Sequence, residues 1–107
     1  MNGFPLTEES IDQLKFAVES QHGGTATFIQ TVPVHEQVGG QTVWDGTVSV
    51  FNLKGSRTGA FRAYAWPGER REGKRRFIMT VLHTPVIVGP QQAVRAVIAM
   101  EATEAVR

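Results

Sequence analysis

The dipeptide Gly39-Gly40 is the sequence feature that most constrains the fold of this chain. It lies between two long runs rich in β-branched residues, Thr25 to Val38 and Val43 to Leu53. Two consecutive glycines accept the positive φ angles that the tightest β-hairpin turns require. The sequence therefore predicts a long antiparallel hairpin with this dipeptide at its tip and Val38 opposite Gln41.

The register of this hairpin predicts which side chains share a face. Counting outward from the turn pairs His35 with Trp44 and Phe28 with Phe51. Because successive residues alternate, both faces then carry apolar side chains. One face holds Phe28, Phe51, Val32 and Val34, and the other holds Ile29, Val50, Val48 and Trp44. Three explanations stay open: the strands curl so that each face is buried over part of its length, the second face meets another chain, or a bulge near Pro33 or Gly46 shifts the register.

Two further strands and two helices complete the pattern. Ala60 to Trp66 alternates, and Arg75 to Thr84 is apolar on both sides. Apolar residues at helical spacing predict a first helix that ends near His22 and a second over Gln91 to Thr103. Gly89-Pro90 suits the start of the second helix, since proline is tolerated in a first turn.

These elements predict an α+β fold in the order αββββα. A four-stranded, twisted antiparallel meander follows the first helix, and both helices are expected to pack on one sheet face. The length of 107 residues predicts a single domain covering residues 1–107. Hydrophobic residues at 41% and charged residues at 20% exclude disordered and fibrous classes.

The compartment is predicted from what the composition lacks. The chain has no cysteine, which excludes disulfides and thiolate metal sites. No apolar stretch approaches the length of a membrane span, and Met1 to Pro5 shows no secretory signal. We therefore expect a cytoplasmic protein with no membrane partner.

Charge is distributed unevenly along the chain. Residues 54–76 contain eight basic and two acidic residues, a net charge of +6. The remainder contains three basic and eight acidic residues, a net charge of −5. Such a charge dipole favours an anionic partner at one end, or docking of two copies basic end to acidic end.

One candidate site combines basic and aromatic residues on one side of the third strand and in the following turn. Its members are Arg62, Tyr64, Trp66, Arg70, Arg71, Lys74, Arg75 and Arg76. Cationic groups neutralise phosphates and aromatic faces stack on bases, so this pattern is typical of single-stranded nucleic acid or polyanion binding. In the competing interpretation the charges keep a hairpin tip in water and the two rings belong to the core.

The histidines predict neither a metal site nor a catalytic set. None of the three histidines forms a closely spaced ligand pair, so no metal or other cofactor is expected. In the predicted register Glu36 and Asp45 share one face while His35 points to the other, whereas acid–base catalysis needs convergent groups. A pocket between helix and sheet near His35 and Trp44 stays open for a small ligand.

The two-faced strands and the lack of a convergent catalytic set favour a small non-enzymatic binding or interaction domain. We expect it to self-associate through its sheet, as a homodimer that buries one sheet against the other. The first alternative is a nucleic-acid-binding module that uses residues 62–76. The second is a small-ligand-binding protein or enzyme with its pocket near His35 and Trp44.

Overall fold

The computed structural model describes residues 8–69 and 76–105. The elements are α1 (Glu8–His22), β1 (Thr25–Val38), β2 (Gln41–Lys54), β3 (Arg62–Glu69), β4 (Arg76–Leu82) and α2 (Pro90–Ala105). The strands form one antiparallel sheet in the order β1-β2-β3-β4. The predicted α+β fold with the order αββββα is therefore confirmed. No helix in the described part of the chain is long and apolar enough to span a membrane.

The Gly39-Gly40 turn is confirmed as the tip of a long hairpin. Both glycines have positive φ angles, 58° and 82°, and Val38 lies opposite Gln41. β1 and β2 have 14 residues each. β2 pairs with β3 only over Ser49 to Asn52, so the distal half of the hairpin is not paired with the end of β3.

A β-bulge close to the turn changes the register of the hairpin. Val43 of β2 has no partner on β1, so His35 lies opposite Asp45 and Glu36 lies opposite Trp44. The predicted pairing of His35 with Trp44 is therefore wrong. The physical reason is one extra residue on β2, which displaces every pair beyond it by one position.

A second irregularity, on β1, compensates for the first. Ile29 is unpaired, and beyond it Phe28 lies opposite Phe51 as the sequence predicts. The rings of Phe28 and Phe51 meet edge to face with their centroids 5.7 Å apart. Between the two bulges, Val32 and Val34 turn to the face that carries Val48 and Trp44, so the hairpin there has one apolar and one polar side.

The two helices pack on opposite faces of the sheet, where one shared face was expected. α1 buries Leu14 and Val18 in a cluster with Ala26, Phe51, Leu53, Ala63 and Ala65. α2 buries a second set in a cluster that comprises Ala93, Val94, Val97, Val34, Val48, Val50, Tyr64 and Trp66. Because neighbouring residues of β3 point to opposite sides, these clusters lie on the two faces.

This arrangement explains why the strands are apolar on both sides. The sheet is the central layer, and each of its faces is buried by a helix of the same chain. The apolar faces that favoured a dimer of sheet against sheet are thus covered internally. The apolar residues on both strand faces therefore do not support a dimer that buries one sheet against the other.

The loop between β2 and β3 fixes the C-terminal end of α1. Arg57 donates from Nη1 to the Gln21 carbonyl at 2.7 Å and from its backbone N–H to the His22 carbonyl at 2.9 Å. A cation there also complements the negative end of the helix dipole. Gly24 has a φ of 80°, and a Cβ at this position would collide with the carbonyl oxygen of Lys54.

Glu36 of β1 fixes the first turns of α2. Its carboxylate is buried and accepts hydrogen bonds from Gln91 Nε2 and from Arg95 Nε, the latter at 3.0 Å. The hydrogen bond from Gln91, and then that from Arg95, lowers the pKa of Glu36 below its usual range. The ionised carboxylate therefore joins β1 to α2.

Candidate functional site

The outer edge of β4 has no partner strand within the described residues. The His83 N–H donates to the Arg62 carbonyl at 2.9 Å, so these opposite residues form a hydrogen-bonded pair. In an antiparallel ladder such pairs alternate with pairs whose backbone groups point away from each other. Pro67, which has no N–H, falls in one of the latter. The residues whose N–H and C=O groups point away from β3 are Ile78, Thr80 and Leu82.

The side chains of β4 are apolar on both faces of this edge. Ile78 and Leu82 pack against the cluster under α1, whereas Met79 and Val81 pack against the cluster under α2. All of residues 78–82 are only partly buried. Residues 77–82 contain no charge and no proline, and the β3–β4 pairing shows no bulge. Natural sheets normally protect an exposed edge with at least one of these features.

Thr80, at the middle of β4, is fixed from the side by the end of α1. Its hydroxyl donates to Gln21 Oε1 and lies 2.7 Å from His22 Nε2. Burial, together with the nearby charge of Arg57, lowers the pKa of His22. A neutral imidazole that donates from Nε2 completes the hydrogen bonds of the Thr80 hydroxyl. β4 therefore presents an ordered edge.

The outer edge of β1 is interrupted. The bulge at Ile29 breaks the sequence of outward backbone groups, and Pro33 removes one donor. A groove of about 390 Å³ flanks the same edge, lined by residues 32–35 of β1 and by Pro90, Gln91 and Gln92 at the start of α2. β1 is consequently a poorer template for a partner strand than β4.

The side chains of His35 and Trp44, predicted to line one small-ligand pocket, lie on opposite faces of the hairpin. His35 lines the groove beside β1. Trp44 lies on the α2 face, where its ring meets that of Trp66 edge to face with centroids 5.8 Å apart. The bulge at Val43 causes this separation, because it places His35 opposite Asp45.

His35 instead belongs to an exposed polar trio at the hairpin tip. Its Nδ1 lies 3.4 Å from Asp45 Oδ1, and its Nε2 lies 3.4 Å from Thr42 Oγ1. Glu36 is on the other face with α2, so the expectation that Asp45 shares the face of Glu36 is wrong. The trio lies open to solvent without groups that would position a substrate, and we assign it no chemistry. Within residues 8–69 and 76–105, no group of three or more acidic residues and histidines could hold a metal ion.

The predicted basic and aromatic row is divided by the fold. Tyr64 and Trp66 are 1% and 4% exposed and belong to the core under α2, so neither ring is available to a base. Arg62 begins β3, whereas the predicted basic turn follows its far end, about 23 Å away at ~3.3 Å per residue. Arg70, Arg71, Lys74 and Arg75 lie outside the described residues, and Arg76 is the first residue of β4.

A second group of aromatic and polar residues lies where β3 begins and β4 ends. The Phe61 ring is 58% exposed, and its centroid lies 4.9 Å from that of His83. The guanidinium carbon of Arg62 lies 5.9 Å from the Phe61 centroid, and Arg62 Nε donates to Asn52 Oδ1 at 3.3 Å. The Tyr64 hydroxyl lies 2.9 Å from His83 Nδ1. Burial raises the pKa of Tyr64, against the opposing effect of Arg62, so the phenol stays protonated.

Comparison of the chain with protein-family models, curated proteins and solved structures finds no match. Its function has to be inferred from its own residues.

No candidate site predicted from the sequence includes Phe61 or His83. The predicted third strand begins at Ala60, and its alternation puts Phe61 on the same face as Ala63 and Ala65. The strand begins at Arg62, and Phe61 lies in the preceding loop. Gly59, two residues before Phe61, has a φ of 83° and is a local signal of that later start.

Proposed function

We propose that this chain is a small, cytoplasmic, non-enzymatic interaction domain that self-associates through its sheet at the outer edge of β4. One observation carries the proposal: three successive outward residues of β4 offer complete backbone donors and acceptors, with no charge, proline or bulge among them. Unpaired edges of this kind are templates for strand addition.

A second copy of the chain fits this edge because the edge is self-complementary. With a two-fold axis at Thr80, Ile78 of one copy lies opposite Leu82 of the other, and the outward residues pair only with outward residues. Met79 and Val81 then meet on the α2 face. Within residues 78–82, every cross-strand contact other than that of Thr80 with itself is therefore apolar. The two four-stranded sheets would form one continuous antiparallel sheet.

Charge substitution at the axis tests this arrangement. Thr80→Lys places two like charges opposite each other, and so does Thr80→Glu. Sedimentation should show a wild-type dimer, a monomer for each variant alone, and a restored dimer when the two variants are mixed. Both variants lose the same hydroxyl contacts with α1, so thermal unfolding of each provides a matched stability control.

Thr31→Lys provides the control on the other edge. Thr31 belongs to the interrupted edge of β1, so the same new charge there should leave the dimer intact. A wild-type chain that sediments as a monomer at high micromolar concentration would remove the proposal.

Nucleic acid or polyanion binding through the basic segment is a second candidate function. Its cationic members are Arg62, Arg70, Arg71, Lys74, Arg75 and Arg76. The observation that favours it is that residues 54–62 contain three cations and no acidic residue. Among the described residues, no carboxylate forms an ion pair with Lys54, Arg57 or Arg62.

Anisotropy of labelled oligonucleotides at low salt tests this candidate. Affinity should fall steeply with added salt, because phosphate contacts release counterions. Loss of binding when Arg70, Arg71, Arg75 and Arg76 are together replaced by alanine would identify the basic turn as the binding site. The alternative of an enzyme or small-ligand carrier near His35 and Trp44 gains no support, since those side chains do not converge.

A further inference from the structure

The exposed ring of Phe61 has surroundings unlike those of the other exposed apolar side chains. It touches the imidazole of His83 and lies close to the guanidinium of Arg62. Phe16, which is 71% exposed on α1, has no comparable aromatic or cationic contact in the described structure. Phe61 is thus an exposed aromatic surface held in place by polar neighbours.

The polar neighbours of Phe61 are held by further contacts. The Tyr64 hydroxyl holds the His83 ring at 2.9 Å, and the His83 N–H is fixed by the β3–β4 ladder. Asn52 accepts from Arg62 Nε at 3.3 Å, and the Arg62 guanidinium also interacts with the Tyr64 hydroxyl and lies over the Phe61 ring. An ordered site loses less conformational entropy when a ligand binds.

A second cation, Lys54, lies on the same side of the sheet as Arg62. Asn52 pairs with Arg62, and Lys54 follows two residues later on β2, so alternation places Lys54 on the face of Arg62. Lys54 is about 7 Å along β2 from Asn52, the residue opposite Arg62, at ~3.3 Å per residue. Residues 54–62 and 82–88 contain no acidic side chain that would neutralise these cations.

We infer that Phe61 is the base-stacking surface of a single-stranded nucleic acid site, with Arg62 and Lys54 binding the flanking phosphates. An aromatic face beside cations on a sheet surface is the arrangement that binds unpaired bases without sequence preference. A base in a duplex has both faces covered by its neighbours, so a duplex cannot use the ring in this way. The inference rests on the second candidate function and gives it a location distinct from the basic turn.

Anisotropy titration of a short, labelled oligothymidylate at low salt tests the inference. Phe61→Ala should weaken binding by about five- to a hundredfold, which corresponds to the loss of one base–aromatic stack. Phe16→Ala removes a still more exposed ring from α1 and should leave the affinity unchanged. Phe61→Trp should retain or strengthen binding, and it keeps the inference testable if the alanine variant folds poorly.

The salt dependence separates stacking from charge. Phe61→Ala removes no charge and should leave the slope of log affinity against log salt as in the wild type. Arg62→Gln should reduce the magnitude of that slope by about 0.7, the value for one contact with a single-stranded phosphate. A duplex of the same length should bind more weakly than the single strand.

The possible results distinguish the inference from the function on which it rests. If wild-type chain binds no oligonucleotide, both fail. If binding survives Phe61→Ala unchanged but is lost when Arg70, Arg71, Arg75 and Arg76 become alanine, the stacking site is wrong and the candidate function stands. Equal affinity of wild type for duplex and single strand would also overturn the stacking site.

Discussion

The two edge strands of the sheet differ in how they meet solvent. β1 is twice as long as β4, with 14 residues against seven. Its outer edge is broken by a bulge at Ile29, lacks a donor at Pro33 and is flanked by the first turn of α2. β4 has none of these features, and its edge runs uninterrupted from Ile78 to Leu82.

The difference shows that length alone does not decide which edge recruits a partner. A partner strand needs consecutive outward N–H and C=O groups, and each bulge or proline removes some of them. β1 keeps fewer consecutive complete pairs despite its greater length. Exchanging the protective features between the two edges is therefore the most direct test of the proposed function.

Thr80→Pro transfers the main protective feature of β1 to β4 and should have the largest effect. The N–H of Thr80 points outward, so proline removes no hydrogen bond of the β3–β4 ladder. The dimer would lose two inter-chain hydrogen bonds of roughly 1–1.5 kcal/mol each, which weakens it about a hundredfold. Analytical ultracentrifugation measures the dissociation constant, and Thr31→Pro on β1 is the control. Equal weakening by both variants would show that β4 is not the interface.

Pro33→Val removes the protection of β1 and should have a smaller effect. It restores an outward N–H, but the bulge at Ile29 and the first turn of α2 still limit pairing. We expect association beyond the dimer at high concentration, because each subunit then has two usable edges. Light scattering detects such species. Pro67→Val restores an N–H on the side of β3 that faces β2, which is not an outer edge of the sheet, and it should cause no growth. Growth with both variants would point to a non-specific cause.

The sequence predicted the order of elements, the glycine turn and most of the strands, because these depend on local patterns. It did not predict the bulges at Val43 and Ile29, since nothing in the periodicity marks one unpaired residue. It also could not assign the second apolar face to α1, because a face buried by a helix and one buried by a partner look alike in sequence. Phe61 was missed for a related reason, as its exposure depends on a two-residue shift in the start of β3.

Tyr64→Phe tests the anchor at the C-terminal end of β4. The change removes the hydroxyl that contacts His83 Nδ1 and keeps the ring in the core. The free energy of unfolding should fall by about 0.5–1.5 kcal/mol, the typical net value of one hydrogen bond. Urea denaturation measures it. The dimer should persist, since the outward groups of Ile78, Thr80 and Leu82 are untouched; a monomeric variant would contradict the assigned edge.

The smallest expected effect concerns the contact by which α2 flanks β1. The pKa of Glu36 is lowered in the folded chain, so the ionised carboxylate stabilises the fold at pH values above the usual 4.5. This contribution is lost as the pH falls from there through the lowered pKa. Glu36→Gln should therefore be less stable than wild type at neutral pH, and the difference should shrink on acidification. Thermal unfolding across this pH range measures it, with Asp45→Asn, at an exposed position of β2, as the control. A constant difference between Glu36→Gln and wild type across the range would mean that the Glu36 carboxylate does not hold α2 against β1 through its charge.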